Sequence, residues 1–118
     1  MALREIKLVI PQPRALEDRV TVVALEAELV ETWGGFTRVC GGGSWRSPKE
    51  NKSIEEMVRV YTIASEKMCR YHGSPAFSDA ALRTIALNYG RKLAQEAVYI
   101  VTRSGKAEIV SCTEPTAD

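Results

Sequence analysis

Residues Glu56 to Ala64, with the sequence EMVRVYTIA, form the segment that decides the fold. Val58 and Val60 alternate with Tyr61 and Ile63, and this period of two predicts a β-strand. Because both faces of the strand are largely apolar, we expect it to lie centrally in a sheet. A central strand needs a neighbour on each side, so other segments of the chain must supply further strands.

Four further strands are predicted, over residues 4–10, 36–40, 96–102 and 106–111. Pro11 stops the first of them, since proline cannot donate a hydrogen bond to a ladder. Ser104-Gly105 has the composition of a hairpin turn and joins the last two strands. The glycine-rich stretch Gly41–Ser44 is predicted to be flexible, and the polar segment Arg46–Glu55 is predicted to be a loop.

Two helices are predicted between these strands. The first spans about residues 15–33 and ends at Gly34-Gly35, because glycine takes the left-handed cap conformation without steric cost. The second has Ser78 as its N-cap and Asp79 in its first turn. Apolar residues at spacings of three and four predict the buried side of each helix. In the first helix they are Leu16, Val20, Val23, Ala27 and Val30, a stripe that Leu25 and Leu29 widen, and in the second Leu82, Ile85, Ala86, Tyr89 and Leu93.

The order of elements predicts an α+β fold, with an antiparallel sheet and two helices on one face. It is the ferredoxin-like βαββαβ order with an added C-terminal hairpin strand. Residues 1–111 are expected to form a single α+β domain, and residues 112–118 a loose tail. The sheet face without helices would expose apolar side chains, which predicts self-association as a homodimer or higher multiple.

Composition excludes several classes of function. The 118 residues carry 16 basic and 15 acidic side chains, a net charge of +1, which argues against binding to long nucleic acids. No apolar run approaches the roughly 20 residues of a membrane span, so no membrane partner is expected. Cys40, Cys69 and Cys112 are predicted to be free thiols of a cytoplasmic protein. With His72 as the single histidine, neither a metal site nor a cofactor is expected.

No known catalytic motif appears in the sequence, which favours a protein that is not an enzyme. The run Gly41–Gly43 could present backbone amides to a phosphate, but a hairpin or bulge explains it as well. Cys69 and His72 lie close in sequence, yet no third group is evident to orient the histidine as a base. Glu55 and Glu56, directly before or within the strongest strand, cannot be distinguished from ordinary solvated charge.

A set of aromatic, amide and basic side chains is more informative. An aromatic ring can stack on a base and an arginine can hold a phosphate, so the set predicts a site for a small nucleotide ligand. Its members are Trp45, Arg46, Tyr71, Phe77, Asn88, Arg91 and Arg103. A core position for Trp45 and ordinary surface arginines are the structural alternative.

The segment Ser65–Phe77 is long for a connection, which is typical of functional loops. We expect it to act as a lid over the ligand, with Phe77 stacking on the base and Arg91 or Arg103 holding phosphate. The alternative role of Phe77 is a hydrophobic staple for the second helix.

Several short motifs recur in a recognisable order. They are Glu31-Thr32-Trp33-Gly34-Gly35-Phe36-Thr37, Gly41 to Trp45, Glu55 to Val60, and Gln95-Glu96-Ala97-Val98-Tyr99-Ile100. Together they resemble a group of small phage and bacterial domains from about Leu3 to Val110. The chain also resembles the phage sponge proteins that counter Thoeris defence. In that family a lid aromatic, a polar helix residue and a later arginine bind the ligand, and Phe77, Asn88 and Arg103 take those places in order.

The resemblance implies a non-enzymatic multimer in the cytoplasm of a bacterial host. It would sequester cyclic ADP-ribose-type or cyclic oligonucleotide signals, and so block host defence. Two alternatives remain open from the residues. One is an interaction module that inhibits a host protein, and the other is a small ferredoxin-like enzyme that uses His72 or a carboxylate.

Overall fold

The computed structural model describes residues 5–47, 50–64 and 75–113. Within these ranges the chain forms an antiparallel sheet of five strands with two helices on one face. The strands are β1 Glu5–Pro11, β2 Thr37–Ser47, β3 Lys52–Ala64, β4 Ala97–Val101 and β5 Ala107–Ser111. The helices are α1 Leu16–Trp33 and α2 Pro75–Lys92. The predicted fold class is therefore confirmed.

The strand order in the sheet is β2-β3-β1-β4-β5, and all neighbouring strands are antiparallel. The first four strands have the ferredoxin-like arrangement, and β5 extends the sheet beyond β4. β3 lies between β2 and β1, which confirms the central position expected from its two apolar faces.

The hydrophobic core lies between the helices and one face of the sheet. Alternate residues of the strands point into it, as the period of two requires, and α2 and the residue that follows it contribute the five residues that the sequence predicts. The core strand residues are Ile6, Leu8, Ile10, Tyr61, Ile63, Val98 and Ile100. The residues from α2 are Leu82, Ile85, Ala86 and Tyr89, and Leu93 follows directly after the last residue of the helix.

Gly90 allows α2 to approach the sheet closely. A Cβ atom at this position would collide with Cys112 Sγ and would lie 2.8 Å from Val98 Cγ2. Any larger residue would push the helix away from β4 and β5. Cys112 is buried and Cys40 is exposed, and both are free thiols, as predicted.

The main row of the predicted buried side of α1 is wrong. Leu25 and Leu29, which widen the predicted stripe, are buried, together with Val22 and Trp33. The residues of the main row are exposed, with 75% exposure for Leu16, 63% for Val20, 69% for Val23 and 48% for Val30, and Ala27 is exposed as well. Because α1 is apolar on two sides, packing selects the side with the larger side chains, which removes more apolar surface from water.

The hairpin of β2 and β3 is much longer than predicted. Gly41–Gly43 are strand residues that pair with β3, and most of the expected loop 46–55 belongs to the two strands. Asn51 closes the hairpin at a φ of 51°, a left-handed conformation that asparagine tolerates, and its N–H donates to Ser47 O at 2.8 Å. Pairing with a neighbouring strand therefore overrides the weak strand preference of glycine.

α2 begins at Pro75, three residues before the predicted N-cap Ser78. Proline suits the first helical position because its missing N–H would have no partner there. Ser78 is buried inside the helix, and its Oγ accepts a hydrogen bond from Trp33 Nε1 at 3.3 Å. Among the described helices, none is long and apolar enough to cross a membrane.

Candidate functional site

The structure places the six predicted ligand residues that it describes in separate parts of the fold. Trp45 and Arg46 lie near the β2–β3 turn, where Arg46 Nη2 donates to Asn51 Oδ1 at 2.8 Å. This turn extends beyond the last residue of β1. Arg103 follows β4, which ends beside the first half of β1. Arg46 and Arg103 therefore lie at opposite ends of the sheet and do not form one site.

Three predicted ligand residues belong to α2. Phe77 lies in its first turn, and Asn88 follows eleven residues later, which corresponds to a rise of about 16 Å along the helix. Asn88 and Arg91 are both exposed. Arg91 Nε donates to Cys112 O at 3.2 Å, which fixes this side chain at the end of β5. Phe77 and Arg91 thus lie towards opposite ends of the helix.

The start of α2 lies close to Arg103. The backbone N–H of Arg103 donates to Asp79 Oδ1 at 2.9 Å, two residues after Phe77 in the chain. The fold therefore brings the positions of Phe77 and Arg103 to the same end of the molecule. Tyr71 and the predicted lid residues 65–74, together with Cys69 and His72, lie outside the described residues. The roles of these residues in ligand binding stay predictions.

A cleft opens where β1 ends and the β2–β3 hairpin continues. β1 stops at Pro11, opposite Val58, whereas β3 extends back to Lys52. After Pro11 the chain turns away, and Gln12 N donates to Met57 O at 2.8 Å. Beyond Pro11, β1 therefore no longer fills the space between the β2–β3 hairpin and the beginning of β4. The resulting cavity has a volume of about 320 Å³.

The walls of this cleft, which we call the β1-end cleft, are mainly apolar. Val9 and Val58 form the floor on the sheet face that lacks helices, and Tyr99 and Ile109 continue it across β4 and β5. Tyr99 is 46% exposed and Ile109 is 74% exposed. An apolar pocket of a few hundred Å³ with an aromatic side chain is typical of a small-molecule site.

Polar groups surround the apolar floor. Glu56, Ser44, Gln95 and Glu96 line the cleft together with Gly43. The backbone N–H of Gln95 donates to Gly90 O at 2.8 Å. The backbone carbonyl of Glu96 accepts a hydrogen bond from Cys112 N at 2.8 Å. The cleft thus combines an apolar floor with an acidic residue, Glu56, on the same strand face as Val58, a combination that suits an organic cation.

Gly43 determines the width of the β1-end cleft. A Cβ atom added at Gly43 would contact Val58 Cγ1 at 3.6 Å, an ordinary van der Waals distance. A larger side chain at this position would occupy the cleft without a clash at its first atom. Gly41 lies on the same strand face as Gly43, but a Cβ atom at Gly41 would have open space around it, and Gly41 does not line the cleft.

A second polar cluster lies on the helix side of the sheet. Glu26 Oε2 accepts from Arg38 Nη1 at 2.7 Å, from Arg59 Nη1 at 2.9 Å and from the Tyr61 hydroxyl at 2.7 Å. Arg59 Nε also donates to Gln12 Oε1 at 2.7 Å. The cluster therefore ties α1 to β2 and β3, and it fixes the chain segment that leaves β1 beside the cleft.

The charges in this cluster are mutually stabilised. Partial burial tends to raise the pKa of Glu26. The hydrogen bonds from Tyr61 and Arg38 and the positive charges of Arg38 and Arg59 outweigh this effect of burial, so the pKa of Glu26 is lowered. Burial and the hydrogen bond to Glu26 raise the pKa of Tyr61. The Glu26 carboxylate thus accepts hydrogen bonds from three side chains of the sheet, which indicates a structural role for this cluster.

Sequence reasoning missed most of the β1-end cleft. In the sequence, Glu56 cannot be distinguished from an ordinary solvated acid. Tyr99 is one residue of a short predicted strand, and nothing in the pattern marks it as a ligand contact. The run Gly41–Gly43 carried a usable signal, because glycine within a paired strand marks a place where another group approaches closely. Recognising that signal required the strand register, which places Gly43 opposite Glu56.

One solved structure is similar over nearly the whole chain. It is a phage SAM lyase in complex with S-methyl-5′-thioadenosine, with a TM-score of 0.69 and 10% sequence identity. The match covers 91% of this chain and 88% of the lyase chain. At this identity the likeness shows a shared fold. No family model and no curated protein matches the sequence.

This comparison corrects the functional prediction. A non-enzymatic sponge for a cyclic nucleotide was expected, but the similar structure is an enzyme with a nucleoside thioether bound. The prediction that the protein is not an enzyme is therefore wrong by this comparison. The alternative of a small ferredoxin-like enzyme agrees better with it.

Proposed function

We propose that this protein is a phage-type lyase that cleaves S-adenosylmethionine (SAM) and releases S-methyl-5′-thioadenosine. The observation that carries the proposal is the fold shared with a phage SAM lyase over 91% of the chain. The β1-end cleft supports it independently, because its apolar floor and the carboxylate of Glu56 match the two chemical parts of such a substrate.

The reaction needs no water and no external oxidant or reductant. The bond between the sulfonium sulfur and the γ-carbon of the methionine part breaks, and its electron pair stays on sulfur as a neutral thioether. The substrate carboxylate forms a new bond to the same γ-carbon, which closes a homoserine lactone. Atoms and charge balance, since the positive charge lost from sulfur is matched by the negative charge lost from the carboxylate.

The cleft can promote this reaction by binding and by polarity. Tyr99, Val58 and Ile109 offer apolar surface to the adenine and the thioether. Glu56 supplies a carboxylate for the substrate's ammonium group, a charge-assisted hydrogen bond that positions the amino-acid part. An apolar floor solvates a sulfonium poorly, so it favours the step in which that charge disappears.

The direct test is incubation of the purified protein with SAM, followed by liquid chromatography and mass spectrometry of the products. We expect S-methyl-5′-thioadenosine and homoserine lactone in equal amounts. Glu56→Gln keeps the size of the side chain and removes its charge, so we expect kcat/KM to fall by about tenfold to a hundredfold.

Glu55→Gln is the matched control, because Glu55 lies next in the strand and does not line the β1-end cleft. Its kcat/KM should stay within about twofold of the wild type. Intact SAM after incubation with stoichiometric protein would refute the proposed reaction. Turnover that is equal in wild type and Glu56→Gln would instead remove Glu56 from the mechanism.

A further inference from the structure

The outer side of α1 carries an apolar surface that the core does not use. We call it the α1 outer stripe, and its residues follow one another at spacings of four, three, four and three. They are Leu16, Val20, Val23, Ala27 and Val30, all exposed. This spacing is the heptad pattern of a helix that packs against a second helix, and the stripe runs for about 21 Å.

The size of the stripe sets it apart from ordinary exposed apolar residues. Leu16, Val20 and Val23 are each exposed by more than 60%, and they lie on adjacent turns of one helix. Single exposed apolar residues are common on protein surfaces, whereas a contiguous row marks an interaction site. The opposite side of α1 already holds the helix on the sheet through Leu25 and Leu29, so the stripe is not needed for that contact.

The charge around the stripe indicates the kind of partner. Apart from Glu26, which is paired with Arg38 and Arg59, α1 carries four acidic residues and one basic residue, although the whole chain has a net charge of +1. Helical spacing places the exposed residues Glu17, Glu28 and Glu31 along one flank of the stripe. The last turn of α1 has no basic residue, and the helix dipole adds negative charge at that end.

These charges disfavour two other occupants. In an antiparallel pair of two copies centred on Val23, Glu17 of one copy would lie near Glu31 of the other, and like charges would repel. An anionic membrane surface would be repelled by the same acidic flank. From the stripe and its flank we infer that α1 docks a basic amphipathic helix of another protein, one with an apolar row beside lysine or arginine side chains.

The test uses two synthetic helical peptides with the same leucine row at alternating spacings of three and four. One carries lysine beside the row and the other carries glutamate. Fluorescence anisotropy with the full chain should show binding of the lysine peptide that is about tenfold tighter than that of the glutamate peptide. The double variant Glu17→Gln/Glu31→Gln should reduce this preference.

A variant in the α1 outer stripe and a matched control show where the peptide binds. Val23→Asp places a charge in the middle of the stripe, so we expect at least about tenfold weaker binding of the lysine peptide. Thr84→Asp adds the same charge to the exposed side of α2 and should leave the affinity unchanged. Equal binding of both peptides, or binding of neither, would overturn the inference. A smaller particle mass for Val23→Asp than for wild type would overturn it too, because α1 would then be an interface between copies.

Discussion

Both faces of the sheet carry apolar side chains, which are buried on one face and partly exposed on the other. On the helix side, Leu8 and Ile63 are fully buried beneath α1 and α2. On the other side, which we call the open face, Val39, Tyr99 and Ile109 are exposed, and the β1-end cleft interrupts the sheet. The difference indicates that one face holds the fold together while the other is available for ligands and partners.

Neighbouring residues of β1 give the sharpest test of this difference. Leu8 points to the core and Val9 points to the open face. We expect Leu8→Ala to lower the free energy of unfolding by roughly 2–5 kcal/mol, because it leaves a cavity in a closed core. Val9→Ala should cost less than about 1 kcal/mol, since Val9 is only partly buried. Urea denaturation measures both values, and similar losses would contradict the proposed division of roles.

Two glycines of β2 test the open face without disturbing the core. Gly43→Val places a side chain in the β1-end cleft, and we expect the affinity for S-methyl-5′-thioadenosine to fall by about a hundredfold. Gly41→Val lies on the same strand face outside the cleft and should bind the nucleoside as the wild type does. Isothermal titration calorimetry separates the two variants. Equal weakening in both would point to a change in the strand itself.

The Glu26 cluster tests the helix side by pH. Because the pKa of Glu26 is lowered in the folded chain, its contribution is complete above its ordinary value of 4.5 and is lost as the pH falls below it. We expect Glu26→Gln to cost about 1–3 kcal/mol at neutral pH. The variant should also lose less stability than the wild type between pH 5 and pH 3. Parallel pH profiles for the two proteins would show that Glu26 is not stabilised by its neighbours.

The open face is the surface on which we expect the predicted self-association. Val39 is 60% exposed near one edge of the sheet, and Ile109 is 74% exposed near the other. We expect a dimer or higher multiple at micromolar concentration, and a shift towards monomer for Val39→Asp. Light scattering coupled to size-exclusion chromatography measures both masses. A monomeric mass for the wild type would contradict the predicted self-association.

Sequence patterns predicted the fold better than the details that shape the site. The two helices are equally long, yet the complete buried side was predicted correctly only for α2, because most of its described apolar residues lie on one side. α1 has apolar residues on two sides, and only packing against the sheet decides between them. Periodicity therefore identifies a helix reliably and identifies its buried side only when the other side is polar.

The cleft could not be predicted because it depends on strand lengths and register. Asn51, Lys52 and Ser53 have the composition of a loop, and pairing with β2 makes the latter two part of β3. Gly43 and Tyr99 are more than fifty residues apart in sequence. They line one cavity because β3 and β1 lie between their strands and β1 ends at Pro11. Neither propensity nor motif spacing contains that information.

The central claim is that a nucleoside binds in the β1-end cleft, and backbone NMR tests it most directly. We expect addition of S-methyl-5′-thioadenosine to shift the amide resonances of Gly43, Glu56 and Tyr99, while those around Phe77 and Arg103 stay unchanged. Shifts confined to Phe77 and Arg103 would contradict the claim and place the ligand at the other end of the sheet.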